Sequence, residues 1–161
     1  MGHWLVIDLE ATTDEGGWAM EEMEIIEIGA SLVGVDGHER DHFQRFIKPQ
    51  RRPCLTDFCR ELTHISQGDV DSAAPLPQVW AQFERWLMQH ASRLVGWSSW
   101  GDYDRRQLLQ EWQLHQLHSL LAHQTHALAQ LVLRAGHGSA ALGCGGIELE
   151  AGIKTHAAGQ F

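Results

Sequence analysis

The chain has 161 residues, a size that fits one domain with a sizeable buried core. Its 43% apolar and 20% charged residues are ordinary for a soluble globular protein; no apolar run is long enough to span a bilayer, and the N-terminus shows no signal-peptide pattern. A net charge of −9 excludes a protein that coats nucleic acid by bulk electrostatics, but not an enzyme that admits a polyanion past a local basic rim to an acidic, metal-filled site.

Leu5, Val6 and Ile7 are apolar, largely β-branched and too few for a helix, which predicts a short buried strand. Alternation along it sends Asp8 and Glu10 to one face at its end. Two adjacent carboxylates repel, and a partly buried pair needs a shared proton or a cation. Hard ions such as Mg²⁺ or Mn²⁺ suit oxygen ligands of this kind. Alone, the spacing equally describes two solvated acids at a strand exit.

Residues 14–23 read as a loop carrying Trp18, and residues 24–33 as a second strand. Asp36-Gly37 marks a turn, after which residues 40–47 return as a third strand with Phe43 and Phe46 as its large apolar groups, completing an antiparallel meander. After Pro53 the period changes. Thr56 is the N-cap of a short helix over residues 58–62, and residues 67–77 are loop with a helical turn near residues 69–73. Residues 78–90 form an amphipathic helix with Val79, Trp80, Phe83, Trp86 and Leu87 inward. Residues 93–97 predict a fourth strand beside the first. A long helix over residues 103–122 follows, with Leu108, Leu109, Trp112 and Leu120 inward, then helices over residues 127–134 and 142–151. Strands first, then helices mixed with a further strand, give an α/β class: a mixed sheet flanked by helices.

A third carboxylate comes from the strand–turn–helix junction Trp97-Ser98-Ser99-Trp100-Gly101-Asp102-Tyr103-Asp104. An acid there can point across the sheet end toward Asp8, and either Asp can equally cap the helix. Lys48, Arg51 and Arg52 form one local basic cluster and Arg105 with Arg106 another; each is a substrate rim or a solvated surface. His115/His118 and His123/His126 are spaced i, i+3, which without a Cys pair or an H-E-x-x-H frame describes a solvated histidine face more readily than a zinc site. Three cysteines (Cys54, Cys59 and Cys144), odd in number and without a C-x-x-C pair, indicate a reducing cytoplasm rather than a disulfide framework. Trp97 and Trp100 flank the proposed acid site, where aromatics either pack or stack on terminal bases.

Asp8-Leu9-Glu10-Ala11-Thr12 followed by Glu24-Ile25-Ile26-Glu27-Ile28-Gly29 resembles the opening of the DEDD superfamily of 3′–5′ exonucleases. Phe58-Cys59-Arg60-Glu61-Leu62-Thr63-His64-Ile65-Ser66-Gln67 narrows the resemblance to the Eri-type branch, which includes the histone-mRNA 3′ exonuclease. Gly101-Asp102-Tyr103-Asp104 is similar to that branch's Gly-x-Trp/Tyr-Asp segment, which puts Asp104 in the third carboxylate position with Asp102 as the fallback. The resemblance implies a ribonuclease H-like fold and two-metal hydrolysis of phosphodiesters from a single-stranded 3′ end. It implies Asp8, Glu10 and Asp104 as catalytic ligands of two Mg²⁺ or Mn²⁺ ions. The Gly-rich and polar loops around Thr12, Thr13 and Trp18, beside the acids, are expected to line the path of the 3′ nucleotide, and the resemblance puts Thr63 and Ile65 on the far wall. RNA and short DNA ends, and monomer and homodimer, all stay open.

The family's general-base His and final Asp stand in a His-x-Gly-x-Asp-Asp-like segment near the C-terminus. Here Leu142-Gly143 and Ala151-Gly152-Ile153 lead up to that point, and His156 follows without the Gly-x-Asp-Asp; no Asp occurs after Asp104. The expectation is a single exonuclease-like domain over residues 1–161 whose last catalytic segment lies past Phe161. The rival is a non-catalytic nucleic-acid-binding or adaptor protein that has lost it.

Overall fold

The computed structural model describes residues 2–128. A five-stranded sheet in the order β3-β2-β1-β4-β5 forms its centre, from β1 (His3–Ala11), β2 (Ile25–Gly34), β3 (Glu39–Phe46), β4 (Leu94–Ser99) and β5 (His126–Leu128). The first three strands make the expected antiparallel meander, and β4 lies parallel to β1, Val6 beside Ser98 and Ile7 beside Ser99. β1 alternates strictly: His3, Leu5, Ile7, Leu9 and Ala11 are buried, while Trp4, Val6, Asp8 and Glu10 are half-buried on the other face. The apolar parity packs with Ile28, Ala30, Leu32 and Phe43 against Val79, Trp80, Phe83 and Leu87 of α3 (Leu76–Met88) and Leu108 and Trp112 of α4 (Asp102–Leu114). Burial of apolar surface on this scale is the main term holding the layers together.

A register shift separates Glu10 from Ala11: Glu10 pairs with Glu27 but Ala11 with Ile25, so Ile26 is the extra residue of a bulge. Ile25 joins the main core, while Ile26 enters a second cluster with Leu55, Cys59, Ile65 and Val70, under α1 (Asp57–Thr63) and α2 (Gln67–Asp71). Thr56 caps α1 as expected, its hydroxyl accepting from Cys59 N at 3.0 Å. The helical turn expected near residues 69–73 is present as α2 and starts two residues earlier, at Gln67, because Ser66 and Asp69 close a reciprocal capping box there.

The long helix expected over residues 103–122 stops at Leu114. Gln116 takes a left-handed φ of 52°, Leu117 N returns to Trp112 O at 2.8 Å, and residues 120–123 form one 3₁₀ turn. Leu109 and Leu120, read as inward, are exposed. Residues 126–128 are a strand and not the start of a helix. Helix-forming Leu, Gln and Ala are overridden here by the open edge of β4, which the chain must pair. Gly96 permits that pairing, since a Cβ there would meet Thr125 O at 2.6 Å. The remainder of the helix predicted over 127–134, the helix over 142–151, Cys144 and His156 lie outside the described residues.

Candidate active site

β4 ends at Ser99 opposite Ile7, so β1 runs on past it and the main-chain N–H of Leu9 has no strand partner on that side. The Asp104 carboxylate, in the first turn of α4, accepts this N–H. That bond brings an acid from residue 104 beside acids from residues 8 and 10. Asp104 is 6% exposed. Asp102 points elsewhere: it is exposed and paired with Arg105 Nε at 2.7 Å.

Burial pushes the Asp8 carboxyl up to about 6, with the Glu27 charge adding to it. Burial pushes Glu10 up to about 8, reinforced by Asp8, Glu27 and Asp104. Asp104 is pushed up to about 7 by burial and then by Asp8, the Leu9 N–H alone acting against this. The charges bearing on the three groups are all negative. Such a set is relieved by protons or by a hard cation. The donor chemistry therefore fits divalent ions, although no three His, Cys, Asp or Glu side chains among the described residues are already drawn together as a finished metal site.

Glu27 was not singled out by its sequence context, yet it sits directly opposite Glu10 across the β1–β2 pair, with Gln44 Nε2 donating to its carboxylate. Tyr103 is a second such residue. Its phenol is pushed up to about 12 by burial and then by Asp104 and Glu10, and its OH donates to Met23 Sδ at 3.5 Å. Its position immediately before Asp104 was the only signal that could have found it.

The predicted substrate-side residues divide into two kinds. Trp18 is half-buried on the β1–β2 loop with the Arg52 guanidinium 4.1 Å over its ring. Thr12 and Thr13 are buried: Thr12 Oγ1 accepts from Glu24 N at 2.9 Å, and Thr13 O accepts from Thr56 Oγ1 at 2.7 Å. Thr63 is also buried, donating to Cys59 O at 2.8 Å and accepting from Ile65 N at 3.2 Å, and Ile65 packs in the second core cluster. These four hold the strand end and the α1 exit in place. Trp97 is buried against the His126 ring, whereas Trp100 is exposed. The i, i+3 histidine pairs do not share a helix face, because α4 ends before His115; that residue pairs with Glu111 at 3.2 Å and His126 with Ser99 Oγ at 3.0 Å.

The exonuclease family profile RNase_T matches residues 5–130. The chain belongs to this exonuclease family. It is 42% identical over 87 residues to zebrafish (Danio rerio) ERI1 exoribonuclease 2, covering 52% of this chain and 15% of that protein. It is 35% identical over 92 residues to the fission yeast (Schizosaccharomyces pombe) 3′-5′ exonuclease eri1, covering 56% of this chain and 31% of the relative. The chain thus spans less than a third of these relatives' length. Its fold is similar to the nuclease domain of 3′hExo, a DEDDh family member bound to rAMP, with a TM-score of 0.68 and 30% identity over 74% of this chain and 63% of that one. These neighbours place the family member in the DEDDh group, Eri-type branch, with a ribonuclease H-like mixed sheet flanked by helices. Divalent metal ions are general to that group.

Proposed function

We propose that this chain is a metal-dependent 3′–5′ exonuclease that hydrolyses phosphodiester bonds at the 3′ ends of single-stranded RNA or short DNA. What supports the reading is that Asp8, Glu10 and Asp104, at the end of β1 and the start of α4, are buried and raise one another's carboxyls by like-charge repulsion, a set that a hard cation would relieve. Asp8, Glu10 and Asp104 would hold two Mg²⁺ or Mn²⁺ ions. When bound, such ions lower the pKa of the attacking water and offset charge on the departing 3′ oxygen and the phosphate.

The chain's own residues supply position. The Leu9 N–H orients Asp104, and Thr12 ties the end of β1 to Glu24 so that Glu10 keeps its direction. Trp18 and the 40%-exposed Tyr103 offer aromatic faces for bases near the 3′ end. Thr63 and Ile65 shape the far wall from within the core. The rAMP bound by the 3′hExo nuclease domain supports a 3′-terminal ribonucleotide as the product. Cys54 and Cys59 are free thiols, in keeping with work in the reducing cytoplasm.

The test is trimming of a 5′-labelled single-stranded oligonucleotide with Mn²⁺, comparing the native chain with the Asp8→Asn/Glu10→Gln double variant. Nucleotide-by-nucleotide shortening that disappears in a folded double variant is the expected result. Equal trimming by both proteins would defeat the reading.

A further inference from the structure

Arg51 belongs to the basic cluster that sequence describes as either a substrate rim or a solvated surface, and the structure turns its guanidinium toward partners within the chain. Its guanidinium donates to Glu21 O at 2.6 Å and to Met23 O at 2.8 Å. It also lies 3.7 Å from Glu24 and 3.8 Å from Glu111, a residue only 2% exposed. One side chain thus grips the end of the β1–β2 loop from its carbonyl side while facing two acids from β2's entry and from α4. A planar fork of five donors can do this; an ammonium cannot.

The base of the clamp is itself fixed. The Glu24 carboxylate receives three successive main-chain N–H groups, from Gln50 at 2.8 Å and from Arg51 and Arg52 at 2.9 Å each. From the other side α4 holds the same loop: Gln107 Nε2 reaches Met23 O at 3.3 Å and Gln110 Nε2 reaches Met20 O at 3.0 Å. Met23 in turn receives the Tyr103 hydroxyl, beside Asp104 and Glu10. Arg52, the next residue, pairs with Glu22 at 3.0 Å and covers Trp18. A loop of small and acidic residues, with positive φ at Gly16 and Gly17, would otherwise have little to order it.

We propose that Arg51 is a positioning residue for the 3′-end site, holding the β1–β2 loop against α4 so that Trp18, Met23 and Tyr103 form a ready-made wall for the terminal nucleotides. The role rests on the exonuclease reading above, and its experiment has one arm that does not. In the full chain, a Glu-specific protease reports loop release by cutting after Glu15, Glu21 or Glu22. Arg51→Ala should speed that cutting about tenfold and raise KM for the oligonucleotide about tenfold, with kcat within about threefold of native. Arg51→Lys, which keeps the charge facing Glu111 but not the fork, should raise KM about threefold. Were Arg51→Ala unable to fold, the lysine variant would carry both readouts.

A merely structural role predicts a lower active fraction, hence a fall in kcat at unchanged KM, and that result would overturn the proposal. So would loop cutting at the native rate in both variants. A native chain that does not trim at all refutes the exonuclease reading, and the proteolysis arm still decides whether Arg51 holds the loop.

Discussion

Two groups of acids flank the β1–β2 loop, and the fold treats them in opposite ways. Glu24 and Glu111, on one side, are surrounded by donors: three main-chain amides at Glu24, and Arg51, His115 and Gln107 at Glu111. Burial pushes the Glu111 carboxyl up, and His115 and Arg51 pull it back. Asp8, Glu10 and Asp104, on the other side, receive one named main-chain donor, Leu9 N–H, and otherwise feel only each other and Glu27. Acids that serve structure are compensated within the chain. Acids left to repel cost stability unless something from outside the chain binds them, and that difference separates scaffold from site.

The contrast breaks most sharply at Asp104. Asp104→Asn keeps an oxygen for the Leu9 N–H but loses the charge, so it should leave a folded protein whose Mn²⁺-dependent kcat has dropped about 10³-fold or more, read by single-turnover trimming. At the compensated cluster the large effect should fall on stability instead. Glu111→Ala leaves Arg51 and His115 facing a void and should cost about 2–4 kcal/mol in urea unfolding, while kcat per folded molecule stays within a few-fold.

The pH dependence sharpens the comparison further. Unfolded Asp and Glu titrate near 4, whereas Asp8, Asp104 and Glu10 in the fold titrate at about 6, 7 and 8. Between pH 5 and 8 the folded chain therefore binds more protons than the unfolded one, and stability falls as pH rises through that window. Metal-free protein should melt several degrees lower at pH 8 than at pH 5, Mn²⁺ should reverse the loss, and Asp8→Asn should flatten the slope and stabilise the metal-free form at pH 8 by about 1–3 kcal/mol. The smallest effect belongs to Glu27→Gln. It removes one like charge opposite Glu10, so it should raise metal-free stability by about 0.5 kcal/mol and weaken Mn²⁺ binding by calorimetry a few-fold.

What was legible in the sequence follows from the range of the forces involved. Period-two alternation is local, so β1 to β3, their turn and the shared face of Asp8 and Glu10 could be read directly, as could β4 and the Thr56 cap. The end of α4 could not: Gln116, Leu117, Leu120 and Leu121 after Leu114 keep good helical propensity, and the break answers the vacant edge of β4 instead. Glu24, Glu111 and Arg51 escaped for a related reason. Their meaning lies in partners as distant as residues 24 and 111, and a charged residue on a helix or loop reads as solvated until that partner is known. Asp102 and Asp104 stand two residues apart and spacing alone does not separate them; the resemblance of Gly101-Asp102-Tyr103-Asp104 favoured Asp104, and the structure agrees, with Asp104 buried on the Leu9 N–H and Asp102 exposed against Arg105.

β1 writes two messages in one strand, odd positions for the core and even positions for the chemistry. The two can therefore be edited separately. Leu5, Ile7 and Leu9 are open to repacking for thermal robustness without disturbing Asp8 or Glu10, provided side-chain volume is kept. The same interleaving makes the strand intolerant of a single-residue insertion or deletion ahead of Asp8, which would turn both acids into the core and the core out to water. Substitutions in β1 should thus be graded by parity, and any change of length there should be close to lethal for the fold.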